Sequence, residues 1–268
     1  MSGPAYDPRP PSFRRSLKAQ LRTLSALMIR EGVSKFGHEN FGFFWVLGEP
    51  LLFASAVSIM WSINRNAKFV SVGLLQFVLT GYCALILWRH IVGHCSKALS
   101  KRAALLYHNN IKPMDLMLAI GFLEILGVFT AFLVAYLPLA AFDLVLPIHD
   151  PLRLIGGFLF VGWFATSFGL CLAAISEMVE FIEKFVQAFL YVTLPLTGVF
   201  TLVDWLPPKA QKVLLFSPMV HAVEMIRSSI LEEDVTTVFD PRYLLIVCSV
   251  QTAIGLLLMS HVQKHIEG

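Results

Sequence analysis

Residues that could carry chemistry are few and widely spaced in this 268-residue chain. Asp204, His221 and Glu224 are the one group whose types and proximity suggest general acid–base catalysis. His261 and His265 have the i, i+4 spacing of a helical metal site, but no third ligand lies near them. The sequence lacks phosphate-loop, dinucleotide-binding, zinc-protease and serine-hydrolase motifs. It therefore predicts no bound nucleotide or metal in this chain.

Charged residues at or inside long apolar stretches form a second group: Glu49, Arg89 and Glu124. Burying such residues in a bilayer costs free energy, so each of them is first considered as part of a functional site. Glu124 lies about nine residues into an apolar stretch, a rise of roughly 13 Å along a helix. A proton relay needs several carboxylates stacked through the membrane, whereas Glu124 is the single deep one. We therefore expect a structural pair between Glu124 and a neighbouring basic group.

The composition indicates which elements position these residues. Hydrophobic residues make up 56% of the chain and charged residues 15%, and 22 Phe outnumber the 21 Lys and Arg. Soluble domains contain roughly 45–50% hydrophobic residues and 25% charged residues. Disordered, collagen-like and coiled-coil classes are excluded, and a net charge of +3 without a dense basic tract excludes a nucleic-acid binder. The prediction is an all-α polytopic membrane protein with a single transmembrane domain.

Six stretches are apolar and long enough to cross a bilayer, which takes about 20 helical residues. They lie near residues 44–63, 72–93, 114–141, 153–175, 185–204 and 243–262. With the N-terminus inside, the cytoplasmic segments hold 14 Lys and Arg residues and the outer segments hold 7. The excess of positive charge inside predicts that both termini are cytoplasmic.

An amphipathic helix is predicted before the first span, over residues 12–31. Apolar residues recur at steps of three and four, and basic residues occupy the other side. This pattern is typical of a helix lying in the membrane interface. The alternative is a docking helix packed on a partner protein.

Residues 205–230 fit neither a span nor an ordinary loop. They contain prolines and several charges, which face lipid only at high cost, yet they are too apolar for a solvated loop. We therefore predict a re-entrant helical hairpin on the outer face between spans five and six, where irregular backbone is buried in protein. On the inner side, residues 94–112 and 176–185 suggest short amphipathic helices parallel to the membrane, with solvated loops as the alternative.

Three stretches resemble the membrane subunit of type-II ABC exporters for polysaccharides, most closely the capsular polysaccharide export permeases. The order and spacing of these stretches agree with that family across nearly the whole chain. They are ALMIREGVSKFG at 26–37 with FGFFW at 41–45 and EP at 49–50; ALLY at 104–107 with IKP at 111–113; and PLTG at 195–198 with VDWLP at 203–207 and SPMVHAVEMIR at 217–227.

The resemblance implies a permease subunit rather than an enzyme. It implies two permease copies and two copies of a separate ATP-binding subunit, which binds ATP and magnesium, so that this chain holds no cofactor. The implied substrate is a lipid-linked capsular polysaccharide crossing a bacterial inner membrane. The implied further partners are a periplasmic co-polymerase and an outer-membrane channel. The alternatives are an O-antigen or teichoic-acid permease, or a polytopic membrane glycosyl- or acyltransferase that uses the Asp204 group.

Site residues follow from the same resemblance. The predicted substrate path contains Arg30, Glu31, Lys35, Phe43, Trp45, Glu49, Trp205, His221, Glu224 and Arg227. The predicted ATPase-coupling residues are Lys97, Lys101, Arg102, Glu177 and Glu180. Aromatic residues at these depths also form ordinary interfacial belts, so stacking on sugar rings is one of two interpretations.

Overall fold

A computed structural model describes residues 13–36, 48–49, 51–57, 59–60, 73–98, 112–179, 181–231 and 235–267. These ranges form helices joined by turns, and no β-strand occurs within them. The helices are α1 (Phe13–Phe36), α2 (Leu74–Ser96), α3 (Pro113–Ala141), α4 (Pro151–Met178), α5 (Phe181–Val192), α6 (Pro208–Leu214), α7 (Pro218–Arg227) and α8 (Pro241–Glu267). Two 3₁₀ turns, Leu194–Thr197 and Val203–Trp205, lie between α5 and α6.

Helices α2, α3, α4 and α8 are long and apolar enough to cross a membrane. They coincide with the predicted spans 72–93, 114–141, 153–175 and 243–262, within a few residues at each end. The all-helical polytopic class is therefore confirmed. Within the predicted first span, residues 51–57 are helical, and much of the remainder of that span lies outside the described residues.

Helix α4 is the centre of the bundle, because α2, α3, α7 and α8 all pack against it. Glycines allow the close approach. A Cβ at Gly157 would stand 2.5 Å from Ile226 Cγ1 of α7, and one at Gly169 would stand 2.6 Å from Cys95 Cβ of α2. Asp150 begins α4 by accepting a hydrogen bond from the Arg153 backbone N–H at 3.0 Å.

The continuous helix predicted for residues 185–204 is wrong. Helix α5 has 12 residues, about 18 Å of rise, and it ends at Val192. The 3₁₀ turn that follows contains Pro195, which lacks an N–H, and Gly198 ends that turn with a φ of 71°. These residues break the helix although the stretch is apolar enough to span.

The separate amphipathic helix predicted for residues 176–185 is also wrong. In its place the chain turns a corner between α4 and α5. Helix α4 runs to Met178, so Glu177 lies in its last turn, and α5 begins at Phe181. The amphipathic helix in this part of the sequence is α5 itself. Glu180 and most of the predicted inner helix at 94–112 lie outside the described residues.

The stretch predicted as a helical hairpin, residues 205–230, contains α6 and α7, which are separated by a turn at residues 215–217. Pro218 stands at the start of α7, where its missing N–H costs nothing. Helix α7 is buried against α4, α8 and α2, whereas Val213 and Phe216 near the hairpin turn are exposed.

The predicted N-terminal helix is present as α1 and extends to Phe36. It packs along α3 of the same chain, burying Leu27 and Glu31. Among the described side chains of α1, four large apolar ones remain exposed: Leu17, Leu21, Ile29 and Val33.

Candidate functional site

A buried carboxylate joins three helices. Glu124 of α3, with 3% of its side chain exposed, accepts a hydrogen bond from Lys35 Nζ of α1 at 2.6 Å. His94 Nδ1 of α2 lies 3.0 Å from the same oxygen, and His90 Nδ1 lies 3.3 Å from the other oxygen. A carboxylate this buried needs such compensation. The predicted pairing of Glu124 with a basic group is confirmed.

Helix geometry explains how this cluster forms. His90 and His94 are four residues apart, so both project from the same face of α2. Lys35 stands in the last turn of α1, where a cation also complements the helix dipole. Gln20 Nε2 donates to Asp115 Oδ1 at 3.4 Å, a second tie between α1 and α3.

We call Glu124, Lys35, His90 and His94 the Glu124 cluster. Two cavities border it. The first, here called the α1 cleft, has a volume of about 170 Å³ and is lined by Glu31, Ser34, Lys35, His94, Ile120, Leu123 and Glu124. The second, here called the basic pocket, has a volume of about 320 Å³ and is lined by Glu49, Ile86, Arg89, His90, Gly93, His94, Lys97 and Gln187. His94 lines both cavities.

Aromatic residues hold the charged groups at the basic pocket. Arg89 Nη2 donates to the Tyr191 hydroxyl at 3.0 Å, and the guanidinium carbon lies 4.6 Å from the centre of that ring. The Tyr82 hydroxyl donates to Glu49 Oε1 at 3.1 Å. The Phe53 ring stacks on Tyr82 with centroids 3.9 Å apart. Arg89 and Glu49 are therefore each held by a tyrosine hydroxyl.

A different polar arrangement surrounds Arg227, which is completely buried. Its guanidinium donates to the carbonyl oxygens of Gly198 at 2.8 Å and Thr201 at 3.0 Å, and to that of Val199. Its carbon lies 3.9 Å from the centre of the Phe77 ring. Burial lowers the pKa of Arg227 to about 10, so the group stays charged at neutral pH.

Glu224 and His221 of α7 likewise bind backbone groups. Glu224 accepts from the N–H groups of Val203 at 3.4 Å and Val238 at 3.1 Å. His221 Nδ1 accepts from the Asp240 N–H at 3.0 Å, so its Nε2 carries the proton and donates to the Leu215 carbonyl at 2.9 Å. We call Arg227, Glu224 and His221 the backbone hub.

The hub changes the interpretation of the Asp204 group. Asp204 is exposed, whereas the polar atoms of His221 and Glu224 are occupied by backbone partners. Two members of the predicted acid–base group, His221 and Glu224, therefore hold irregular backbone in place. In the part of the chain that the structure describes, no set of three His, Cys, Asp or Glu residues is arranged to hold a metal ion.

The other predicted site residues are spread over the molecule. Arg30 is exposed on α1, and Glu31 is buried beside the α1 cleft. Trp205 is half-buried and stacks on Phe77 with centroids 5.3 Å apart. Glu177 is exposed at the end of α4. Phe43, Trp45, Lys101, Arg102 and Glu180 lie outside the described residues.

Several residues that line the two cavities or contact their lining were not predicted from the sequence. His90 and His94 have an i, i+4 spacing that signals a shared helix face, and this signal was available. Gln187 and Tyr191 gave no signal, because only the corner between α4 and α5 brings them to α2.

Comparison with known proteins identifies the class of molecule. Residues 22–231 match the family model described as ABC-2 type transporter. This chain belongs to the ABC-2 type transporter family. The resemblance found in the three sequence motifs is confirmed, and the chain is a membrane transport subunit rather than an enzyme.

Named relatives of this ABC-2 transporter chain align over nearly its whole length. The capsule polysaccharide export inner-membrane protein CtrC of Neisseria meningitidis is 34% identical over 256 residues, covering 96% of this chain and 97% of the relative. The capsule polysaccharide export inner-membrane protein BexB of Haemophilus influenzae is 30% identical with the same coverage. The polysialic acid transport protein KpsM of Escherichia coli is 20% identical over 91% and 95% of the two chains.

Proposed function

We propose that this chain is the permease subunit of an ATP-driven exporter that moves capsular polysaccharide across a bacterial inner membrane. The observation that carries the proposal is the 34% identity to a capsule export inner-membrane protein over 97% of that protein. An alignment of that extent spans the helices that line both cavities. The apolar helices α2, α3, α4 and α8 supply the membrane-spanning frame.

The proposed membrane arrangement has six crossings and cytoplasmic termini. The first crossing includes the helical residues 51–57, and the fifth combines α5 with the 3₁₀ turns that follow it. The 14-to-7 distribution of Lys and Arg supports this orientation. The Glu124 cluster and the basic pocket then lie toward the cytoplasm. The backbone hub lies toward the periplasm, in a re-entrant hairpin.

The proposed assembly follows from the family. Two copies of this chain form the path, and two ATP-binding subunits bind Mg-ATP and drive it. Coupling would take place at the cytoplasmic corners that carry Lys97, Lys101, Arg102, Glu177 and Glu180. A periplasmic co-polymerase and an outer-membrane channel would complete the route to the cell surface.

The proposed entrance for a lipid-linked polysaccharide is the region of the α1 cleft and the basic pocket. It includes the predicted residues Glu31, Lys35 and Glu49, which line these cavities. The predicted neighbours Phe43 and Trp45 stay part of the proposal. His221, Glu224 and Arg227 leave it, because their polar atoms bind backbone.

Deletion and complementation test this function. We expect a strain that lacks the gene to retain capsular polysaccharide inside the cell, and the wild-type gene to restore it at the surface. Surface and intracellular capsule are measured separately with a capsule antibody, at equal permease levels. Normal surface capsule in the deletion strain would contradict the proposal. Retention of O-antigen or teichoic acid instead would favour an alternative substrate.

A second measurement addresses the energy source. We expect an ATP-binding subunit to co-purify with the tagged permease from native membranes. A permease that exports capsule without such a subunit would contradict an ABC mechanism.

A further inference from the structure

An apolar cavity opens on the surface of the bundle between α3, α4 and α8, and we call it the α3–α4 groove. It has a volume of about 390 Å³ and is lined by residues of α3 between positions 114 and 125, residues of α4 between 159 and 170, and Thr252 of α8. Phe122, Leu159 and Trp163 of this lining are exposed, so the groove opens outward. Among the residues that the structure describes, it shares none with the linings of the α1 cleft and the basic pocket.

The chemistry of the lining favours an apolar occupant. None of the described residues that line the groove is charged. Its polar side chains already donate to partners within the protein: Trp163 to Thr252 Oγ1 at 3.0 Å, Thr166 to the Gly162 carbonyl at 2.7 Å, Ser167 to Gln251 Oε1 at 3.0 Å and Thr252 to the Cys248 carbonyl at 2.7 Å. A sugar or a peptide would therefore bury polar groups without donors. A hydrocarbon chain has no such groups to satisfy.

Two glycines fix how α3 and α4 run past each other at the groove. A Cβ at Gly121 of α3 would stand 2.3 Å from Thr166 Oγ1, and one at Gly162 of α4 would stand 2.3 Å from Ile125 Cδ1. One step of four residues forward on α3 thus corresponds to four residues backward on α4. The helices are antiparallel, so the Met114 end of α3 lies at the same end of the groove as the C-terminal part of α4.

The length of the groove matches one leaflet of a bilayer. Its lining on α3 covers about 16 Å of helical rise, and its lining on α4 covers the same length. The hydrocarbon core of a bilayer is about 30 Å thick, so one leaflet supplies about half of that. Met114 stands in the first turn of α3, a candidate span. The groove therefore runs from one membrane surface to the middle of the bilayer, which is the path of one acyl chain.

A basic residue stands at the surface end of this path. Lys112 is the N-cap residue of α3 and is exposed. The helix dipole disfavours a cation at this end of a helix, so the dipole does not account for Lys112. The nearby Asp115 carboxylate is buried and accepts a hydrogen bond from Gln20 of α1 at 3.4 Å. Lysine at the membrane surface attracts negatively charged headgroups.

We infer that the α3–α4 groove binds one acyl chain of a bilayer phospholipid, whose negatively charged headgroup lies beside Lys112. Lipid tails are as apolar as the lining, so this preference comes from packing rather than from the hydrophobic effect. A chain in the groove contacts protein on several sides, and many small dispersion contacts add up. The inference depends on the membrane-spanning helices and not on which substrate the permease exports.

The test measures phospholipid binding by native mass spectrometry. The full-length chain is purified in detergent with the subunits that accompany it and is titrated with phosphatidylglycerol. Phosphatidylcholine with the same acyl chains is the zwitterionic comparison. Each variant is first checked by gel filtration for folding and oligomeric state.

Leu159→Trp fills the groove from its exposed side, and Ile155→Trp is its matched control. Ile155 lies one turn away on α4, has a similar exposure of 43% against 47%, and is outside the groove lining. We expect Leu159→Trp to weaken binding of both phospholipids about tenfold, and Ile155→Trp to leave it unchanged. Leu118→Trp, which fills the groove from α3, should weaken binding in the same way.

Lys112→Gln tests the headgroup, and Lys184→Gln is its control. Lys184 is exposed near the start of α5, which follows the end of α4, so it lies at the same end of the bundle and outside the groove. We expect Lys112→Gln to weaken binding of phosphatidylglycerol about fivefold and to leave phosphatidylcholine unchanged. Lys184→Gln should change neither.

Several outcomes would overturn the inference. The first is wild-type phospholipid affinity in both Leu159→Trp and Leu118→Trp, or an equal loss in Ile155→Trp. The second is a changed oligomeric state of Leu159→Trp with unchanged phospholipid binding, which would show that a second copy of the chain covers the groove. The third is a saccharide-bearing lipid, retained from native membranes and lost in Leu159→Trp, in place of a phospholipid. An unchanged Lys112→Gln would refute the headgroup contact.

Discussion

The Glu124 cluster and the backbone hub solve the same problem in different ways. Both place charged groups inside an apolar helical bundle. In the cluster, side chains from α1, α2 and α3 pair with one another beside two open cavities. In the hub, Arg227 and Glu224 bind backbone groups and are almost completely buried.

This difference separates a fixed region from an adaptable one. The hub binds the carbonyl groups of Gly198, Val199 and Thr201 and the N–H group of Val203, and such backbone groups are expensive to leave unpaired inside a membrane protein. Moving the hub would expose them. The cluster joins whole helices through side chains, so its members can exchange partners without breaking backbone bonds. We therefore expect the hub to control folding and the cluster to control transport.

The largest effect should come from removing the hub's cation. Arg227→Met leaves three carbonyl oxygens without their donor and removes the cation that lies 3.8 Å from Glu224 Oε1, which should cost about 3–5 kcal/mol. We expect little folded protein in membranes, measured by immunoblot and by fluorescence-detected gel filtration. Arg227→Lys should fail as well, because an ammonium lacks the planar fork.

The control for this prediction is Arg242→Met, since Arg242 is an exposed arginine at the start of α8. It should accumulate like wild type. A folded, export-competent Arg227→Met protein would show that the hub is not required for folding.

Crowding helix α7, which carries the hub residues, should have the next largest effect. A Cβ at Gly157 meets Ile226 Cγ1 at 2.5 Å and the Ile226 backbone nitrogen at 3.0 Å. Because backbone cannot move aside cheaply, Gly157→Ala should destabilise the protein by about 1–3 kcal/mol. A lowered melting temperature in detergent would show this. Gly127→Ala is the control, since nothing lies within 4 Å of its Cβ position.

An intermediate effect is expected from Glu124→Gln, mainly on transport. The amide keeps the shape and loses the charge that holds Lys35 and the histidines, at a cost of about 1 kcal/mol. We expect near-normal membrane levels with severalfold less surface capsule. Lys35→Gln should give a similar defect, and the double variant should be no worse than either one. Strictly additive losses would show that the two residues act separately.

The smallest effect on stability is expected at Gly93, beside the basic pocket. Its Cβ would meet the end of the flexible Gln187 side chain at 3.3 Å, and that side chain can rotate away. Gly93→Ala should therefore change the melting temperature less than Gly157→Ala does. An equal or larger loss would mean that the pocket is as rigid as the hub.

The sequence by itself determined the helical membrane class and the approximate position of α2, α3, α4 and α8. Length and hydropathy decide these elements, because a bilayer imposes both on any spanning helix. The interruption inside residues 185–204 was not predicted, because hydropathy does not register the breaks that Pro195 and Gly198 impose. The pairing of Glu124 was predicted because a lone buried carboxylate requires a cation, but its partners were not.

Tertiary structure decided which polar residues share a site. His221, Glu224 and Arg227 looked like path residues, because type and spacing show that a side chain can donate or accept but not what it meets. In the folded protein these side chains bind the backbone of residues 198–203 and of Val238 and Asp240. Gln187 reached Arg89 only through the corner between α4 and α5. Contacts between residues about a hundred positions apart depend on how the helices pack. A local sequence pattern does not specify that packing.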